Sequence, residues 1–285
     1  MIAKAVEQIA EGDVLARDVI LDGTILIPTG TAVKTDYIQN LKELNIELIY
    51  VEEQNGPDSW DILPHHLMVN IYPKVTDMLQ NLRHDNIDSL KEFIPIADSI
   101  LDEVYKSFDT NCKTHVSERN PDIALHTIYG CALVCMVGKC MGKKKAEMRE
   151  SARGMIFHDI GYRYVATPYE NINPEKLSPG EVFDLKKHTI YGFSALEGVS
   201  WLSDEAKRIV LSHHERLDGT GYPLKQKKLN DDIRIACVCD RFDTIICGIG
   251  CKISVPKIAI ETLRSRDSGL DNRIIDILED HITFD

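Results

Sequence analysis

Five of the ten histidines in this 285-residue chain stand among carboxylates or glycines in settings that suit chemistry: His126, His158, His188, His213 and His214. In His158-Asp159-Ile160-Gly161 an imidazole and a carboxylate are neighbours, directly after the apolar stretch Met155-Ile156-Phe157 that ends a predicted helix. Adjacent His and Asp side chains can ligate metal ions together, the carboxylate bridging two ions while the ring nitrogen serves one. A second string, His213-His214-Glu215-Arg216-Leu217-Asp218-Gly219-Thr220-Gly221-Tyr222-Pro223, sets two imidazoles at another helix end. The loop that follows them carries two glycines and a proline, which present ligands at a rim and let backbone approach a substrate closely. His84-Asp85 repeats the His-Asp pair in a polar setting and reads as a solvated surface pair.

The elements that must position these residues are mostly helices. Phe93, Ile96, Ala97, Ile100, Leu101 and Val104 recur at helical spacing, with Asp88 available near the start. Similar patterns run through 122–138, 146–158, 181–197, 203–214 and 231–248, and Pro168, Pro174 and Pro179 mark one long loop among them. The first fifty residues have another texture. Val14-Leu15-Ala16 and Ile25-Leu26-Ile27 are short apolar runs around Asp22-Gly23, which predicts a turn between strands. Thr35 can cap a short helix bearing Ile38, Leu41 and Leu44, and 46–51 reads as a strand. The expected architecture is mainly α: a small α/β or β-rich module over 1–56, closed by the polar stretch Glu52-Glu53-Gln54-Asn55-Gly56-Pro57, and an all-helical domain over 57–285.

Composition narrows the partners. With 44% apolar and 27% charged residues the chain is a folded globular protein. A formal net charge of −12 leaves no basic footprint for polymeric nucleic acid or for an anionic membrane surface. No basic and apolar leader opens the chain, and no run approaches the ~18 consecutive apolar residues of a membrane span, so the expectation is a cytoplasmic protein. The eight cysteines cluster in apolar stretches, which suits small, reduced core residues.

The motifs resemble those of the HD-GYP family, a branch of the HD phosphohydrolases that cleaves the bacterial second messenger cyclic di-GMP. The resemblance rests on His158-Asp159-Ile160-Gly161, on Lys187-His188 followed by Gly192, on the string from His213 to Pro223, and on Asp240 in Cys239-Asp240-Arg241-Phe242-Asp243; His126 resembles the family's upstream histidine. Together these cover about 120–255. The resemblance implies a helical HD-type metal phosphohydrolase domain in which one metal is held by His126, His158, Asp159 and Asp240. A second would be held by Asp159, His188, His213 and His214, with Asp159 bridging. Asp122, one helical turn before His126, stands where some members place a ligand to a third metal. Imidazole and carboxylate ligands without thiolate favour iron or manganese. Two such ions activate a shared water and clamp a phosphodiester oxygen, so His158 and Asp159 belong to the catalytic centre and no protein nucleophile is needed. Tyr222, Tyr162, Arg216 and Lys252 are the residues expected to meet substrate.

Two positions depart from the family pattern. Tyr162 stands where a lysine usually follows H-D-x-G, and Ile249-Gly250-Cys251 stands where an R-P-Y segment is common. The stretch from His213 to Asp240 is also shorter than usual, trimming the loop around Lys225 to Asp232. The metal ligands are complete while the substrate clamp is thinned. The leading reading is a cyclic di-GMP phosphodiesterase giving linear pGpG or GMP. A metal-bearing sensor or adaptor of little activity, acting through protein contacts, is a second reading, and an HD phosphohydrolase for another nucleotide is a third. The N-terminal module reads as regulatory or dimer-forming, so a homodimer or a signalling-protein partner fits it.

Overall fold

A computed structural model describes every residue except 1, 22–23, 45, 47, 52–61, 82–86, 117, 120, 168–176, 268 and 285. The chain divides into two compact units, Met1–Ser59 and Trp60–Asp285. Asp22-Gly23, the polar stretch 52–57, His84-Asp85, Pro168 and Pro174 lie outside the described residues.

In the first unit β1 (Ile2–Ala5) pairs antiparallel with β4 (Leu48–Val51), and β2 (Val19–Leu21) pairs antiparallel with β3 (Thr24–Ile27). Alternation sets the inner face of β4: Ile49 and Val51 are buried while Tyr50 points outward beneath the Arg17 guanidinium. With Val6, Leu15, Val33 and Leu41 of α1 (Thr35–Glu43) they form a small core of their own. Val14-Leu15 contributes only isolated bridges instead of a strand. Thr35 is the first residue of α1 and not its cap, because its hydroxyl donates to Glu11 at 2.8 Å.

The second unit is helical. Its axis is α4 (Ile123–Cys140), buried on nearly every side among α2 (His65–Asn81), α3 (Ile94–Ser107), α5 (Lys145–Ile156) and α9 (Asp231–Cys247). A helix apolar all round has no solvent face to show, and this one is long and apolar enough to cross a membrane, yet 83% of it is buried within the unit. Its Lys139 reaches across to the end of α3 and donates to the carbonyls of Val104, Tyr105 and Phe108, the first of which also accepts the Phe108 N–H. Helix α3 begins at Ile94, where Pro95 suits a first turn, and Asp88 lies in a preceding 3-10 segment and accepts from the Trp201 indole.

The expected single helix over 181–197 is two, α6 (Pro179–Lys186) and α7 (His188–Leu196), broken at Lys187. Pro179 opens α6 behind a Ser178/Glu181 capping box, so it starts a helix where a loop was expected. Next come α8 (Asp204–Ser212), capped by Ser203, and then α9, capped by Asn230 and stopped at Gly248, whose φ of 67° suits glycine. The last two helices are α10 (Pro256–Arg266) and α11 (Asn272–His281). Five cysteines are buried in this unit, with Cys140 and Cys251 partly covered, whereas Cys112 is exposed and departs from the core reading.

Because α4 is the surface on which four other helices pack, truncating its centre should be felt throughout the unit. Leu133→Ala, at a fully buried position, is expected to cost about 2–5 kcal/mol of stability. Urea unfolding followed by helical circular dichroism measures this, and a loss below about 1 kcal/mol would contradict the central place given to α4.

Candidate metal centre

Five segments of the helical unit deliver side chains to one buried point. His126 lies in the first turn of α4, and His158-Asp159 follows the end of α5 as the chain enters a 3-10 turn at Ile160–Tyr164. His188 is the first residue of α7, His213 ends α8 with His214 behind it, and Asp240 lies in the middle of α9. Gly161 makes the convergence possible. A methyl group there would stand 1.8 Å from the His188 carbonyl oxygen, so only glycine lets the turn after Asp159 lie against the start of α7. Its φ is not positive, so the close approach explains the glycine and an unusual turn does not.

Three of the histidines are oriented by a backbone carbonyl three residues before them. The Nδ1 atoms lie 2.7 Å from the Met155 carbonyl for His158, 2.7 Å from Leu185 for His188 and 3.0 Å from Val210 for His213. Donation from Nδ1–H to a carbonyl leaves the Nε2 lone pair directed at the centre. His126 is oriented differently: its Nδ1 meets the Asp243 carboxylate at 2.8 Å, and Asp243 in turn accepts from Arg119, which lies over the Tyr129 ring. Sequence reasoning missed Asp243 and Arg119. Asp243 was within reach, since it follows Asp240 by three residues on the same helix face; Arg119 comes from a separate segment and carried no signal.

Asp159 occupies the middle. Its Oδ2 stands 3.3 Å from His158 Nε2 and 3.6 Å from His126 Nε2, while its Oδ1 stands 3.4 Å from His188 Nε2 and 3.6 Å from His213 Nε2. Asp240 adds Oδ1 at 3.2 Å from His126 Nε2 and Oδ2 at 3.3 Å from His214 Nδ1. Within each pair, His126 with His158 and His188 with His213, the facing Nε2 atoms are 3.2 Å apart. Two nitrogens each about 2.1 Å from one ion would be separated by about 3.0–3.4 Å. Asp159 Oδ1 and Asp240 Oδ2 are buried and have no hydrogen bond, the condition of oxygens shaped for a cation. The donors present therefore fit metal ions, in groups that include Asp159, His188, His213 and His214 and also His126, His158 and Asp159.

The electrostatics agree with the geometry. Burial opposes charge on all of these groups, yet the surrounding imidazoles hold the Asp159 and Asp240 carboxyls well below the usual carboxylate range. Burial would lower His158 too, but Asp159 and Asp240 outweigh it and push that ring up to about 9; Asp240 and Asp243 likewise raise His126. At His188 burial prevails, with His213 adding to it, and the ring is pushed down to about 4; His214 is held well below its ordinary value in the same way. Ionised carboxylates beside neutral His188 and His214 are the protonation states that metal ions require, whereas at His126 and His158 a metal ion would have to displace a proton that the carboxylates hold there.

The other residues singled out from the sequence fall in different places. Tyr162 stacks on His188, with ring centres 4.1 Å apart and planes 16° from parallel. Tyr222 lies against His214 at 4.7 Å, and burial together with Asp240 and Asp159 keeps its phenol protonated. Arg216 donates to Asp267 at 2.6 Å, a carboxylate it shares with Arg241, so it is tied at the rim. Lys252 is exposed in the segment after α9, and none of the described contacts brings it to these side chains. Asp122, expected as a ligand one turn before His126, has a capping role in this structure. It is the N-cap of α4, its Oδ1 accepting the Ala124 and Leu125 N–H groups and its Oδ2 accepting the Tyr72 hydroxyl at 2.7 Å. Glu215, unassigned from the sequence, is fully buried and accepts the Leu224 and Gln226 N–H groups, pinning the loop that carries Tyr222.

These placements separate two carboxylates. Asp159→Ala should abolish tight metal binding, while Asp122→Ala should retain it and cost about 1 kcal/mol of stability as a lost cap. Elemental analysis and urea unfolding of both variants test the contrast, and normal metal content in Asp159→Ala would disprove the central position. Asp243→Asn keeps the shape but loses the charge behind His126, and should weaken metal affinity about 10–100-fold in a competitive chelator titration. Unchanged affinity would make the Asp243 contact merely structural.

Comparison with known proteins bears on the same residues. The family profile of the HD domain matches residues 110–269, a span that includes all seven side chains of the centre. The cyclic di-GMP phosphodiesterase PA4108 of Pseudomonas aeruginosa is 32% identical over 123 residues, which is 42% of this chain and 30% of that protein. A cyclic di-GMP phosphodiesterase of Thermotoga maritima is 26% identical over 265 residues, covering 85% of this chain and 71% of the relative. Among solved structures, Bd1817, an HDG"Y"P protein from Bdellovibrio bacteriovorus, superposes with a TM-score of 0.61 over 98% of both chains at 15% identity, a likeness of fold. The chain thus spans under a third of the length of PA4108 and most of that of the Thermotoga protein. On the profile match and the helical fold that carries it, the chain belongs to the HD domain family.

Proposed function

We propose that this protein is a metal-dependent phosphodiesterase that opens cyclic di-GMP by hydrolysis to linear pGpG, and on to GMP where a second bond is cut. The observation that carries the reading is the orientation of Asp159, whose two oxygens face two separate histidine pairs. His126, His158, Asp159 and Asp240 would hold one divalent ion, and Asp159, His188, His213 and His214 a second. Two adjacent ions would supply an activated water at neutral pH and neutralise the charge that develops on a phosphodiester oxygen. The donor set of nitrogen and oxygen favours iron or manganese, and with Asp122 engaged as a cap we assign two ions.

The chain's own residues do the rest. Asp159 and Asp240 keep the two histidine groups in register, and the carbonyls of Met155, Leu185 and Val210 fix ring orientation in advance, so little ordering remains to be done when substrate arrives. Tyr222 offers a neutral phenol beside both carboxylates, suited to donating a hydrogen bond to a phosphate oxygen. Water adds at phosphorus and the ester bond to the ribose oxygen breaks, so one water enters per linear product. Support comes also from the relatives named as cyclic di-GMP phosphodiesterases. We further assign a cytoplasmic setting and a regulatory role for residues 1–56.

One observation favours a second reading. Tyr162 places a neutral ring on His188 where the HD-GYP resemblance leads one to expect a cation, which suits a metal-bearing adaptor with little turnover. Incubation of fully metallated protein with cyclic di-GMP and Mn²⁺ or Fe²⁺ decides between them. The phosphodiesterase reading expects pGpG by chromatography, with His213→Ala and His188→Ala reduced to background. Intact substrate after prolonged incubation would establish the adaptor reading instead.

A further inference from the structure

Among the described residues, the solvent exposure of the centre is concentrated at His214. His214 is the ligand group with solvent access, its side chain 22% exposed while those of the other six are 5% exposed or less. A substrate therefore enters past His214 and past Tyr222, whose ring lies against it. On the Tyr222 ring sits a cation: the Lys186 ammonium, at the end of α6, is 5.2 Å from the ring centre.

The charges at this opening are unequal in their freedom. Arg216 and Arg241 are both bound to Asp267, and Lys187 is bound to Asp184 at 3.3 Å. The ammonium of Lys186 is exposed, and among the described contacts it makes no ion pair. Tyr162 covers His188 with an uncharged ring. Resting on the proposed phosphodiesterase activity, we propose that Lys186 is a substrate-binding residue which holds the phosphodiester that is not being cut. A cyclic dinucleotide carries two anionic phosphodiesters, and a buried centre whose exposure is concentrated at His214 receives one of them at a time. The Lys186 ammonium and the His214 ring both lie against the Tyr222 ring, which sets the lysine beside the exposed ligand, at the rim where the second phosphate would lie. A lysine used in this way contributes equally to the ground state and the transition state, so its loss appears in KM and not in kcat.

The test uses two substrates, cyclic di-GMP with two phosphodiesters and bis(4-nitrophenyl) phosphate with one, on the full chain with its metal content measured. Lys186→Met should raise KM for cyclic di-GMP about tenfold with kcat within about twofold, the scale of one lost charged hydrogen bond. Lys186→Arg should restore KM to within about threefold, and Lys187→Met should leave it unchanged. Kinetics on bis(4-nitrophenyl) phosphate should be the same in Lys186→Met as in the parent protein. An unchanged cyclic di-GMP KM in Lys186→Met overturns the assignment, as does an equal loss on both substrates, which would mean that Lys186 acts through Tyr222 on the centre itself. If the parent protein cleaves bis(4-nitrophenyl) phosphate but neither binds nor cleaves cyclic di-GMP, the substrate reading fails and this assignment with it, a result distinct from the first two.

Discussion

The burial of Asp159 and Asp240 among five imidazoles is the constraint on which the helical unit is arranged. A carboxylate removed from water costs several kcal/mol unless it is paired or ligated, and here one oxygen of each has no hydrogen bond. Such an arrangement persists only if the surrounding helices hold the imidazoles in place, or if a cation completes it. Each ligand therefore comes from the end or middle of a well-anchored helix instead of from a free loop: α4, α7, α8, α9 and the turn that closes α5.

That anchoring explains features that look unrelated at first. The fully apolar α4 gives His126 a fixed backbone, and the Asp122 cap at its first turn keeps that backbone helical up to the residue that needs it. The carbonyls that lie against His158, His188 and His213 belong to the last turns of helices, so the same turns that finish an element also orient a ring. Gly161 and Gly192 lie in close contact for the same reason, since the turn after Asp159 and the first turns of α7 must nearly touch for His188 to reach Asp159. Glu215 extends the principle to the rim, where a buried carboxylate uses both oxygens on backbone N–H groups to shape the loop bearing Tyr222.

The rim obeys a different rule from the centre. Inside, two carboxylates stand among imidazoles, raising the proton affinity of His126 and His158 while burial lowers that of His188 and His214. Outside, aromatic rings take positions next to the ligands: Tyr162 stacks face to face on His188, and Tyr222 leans against His214. Aromatic contacts of this kind hold imidazoles in orientation without competing for their lone pairs, so a tyrosine beside His188 serves the metal site even though it brings no charge to a phosphate.

Much of the protein was legible in the amino-acid sequence, because its signals are local. Helical periodicity located α3, α4, α5, α8 and α9, and short apolar runs marked β3 and β4 of the first unit but not β1 or β2, since burial imposes such patterns residue by residue. The His-Asp dipeptide and the double histidine before a glycine-rich loop named the side chains that could meet, because ligand chemistry restricts residue types. Boundaries failed where a local preference was overridden: Thr35 spends its hydroxyl on Glu11, Pro179 opens a helix inside an expected loop, and one expected helix is two that meet at Lys187. Only the tertiary structure could decide that Asp122 is a cap, that Asp243 and Arg119 stand behind His126, that Arg216 is tied to Asp267 and that each oxygen of Asp159 faces its own pair of rings. Those facts depend on distances between segments tens to more than a hundred residues apart in the chain, and such distances are set by how whole helices pack, which no local pattern of residues encodes.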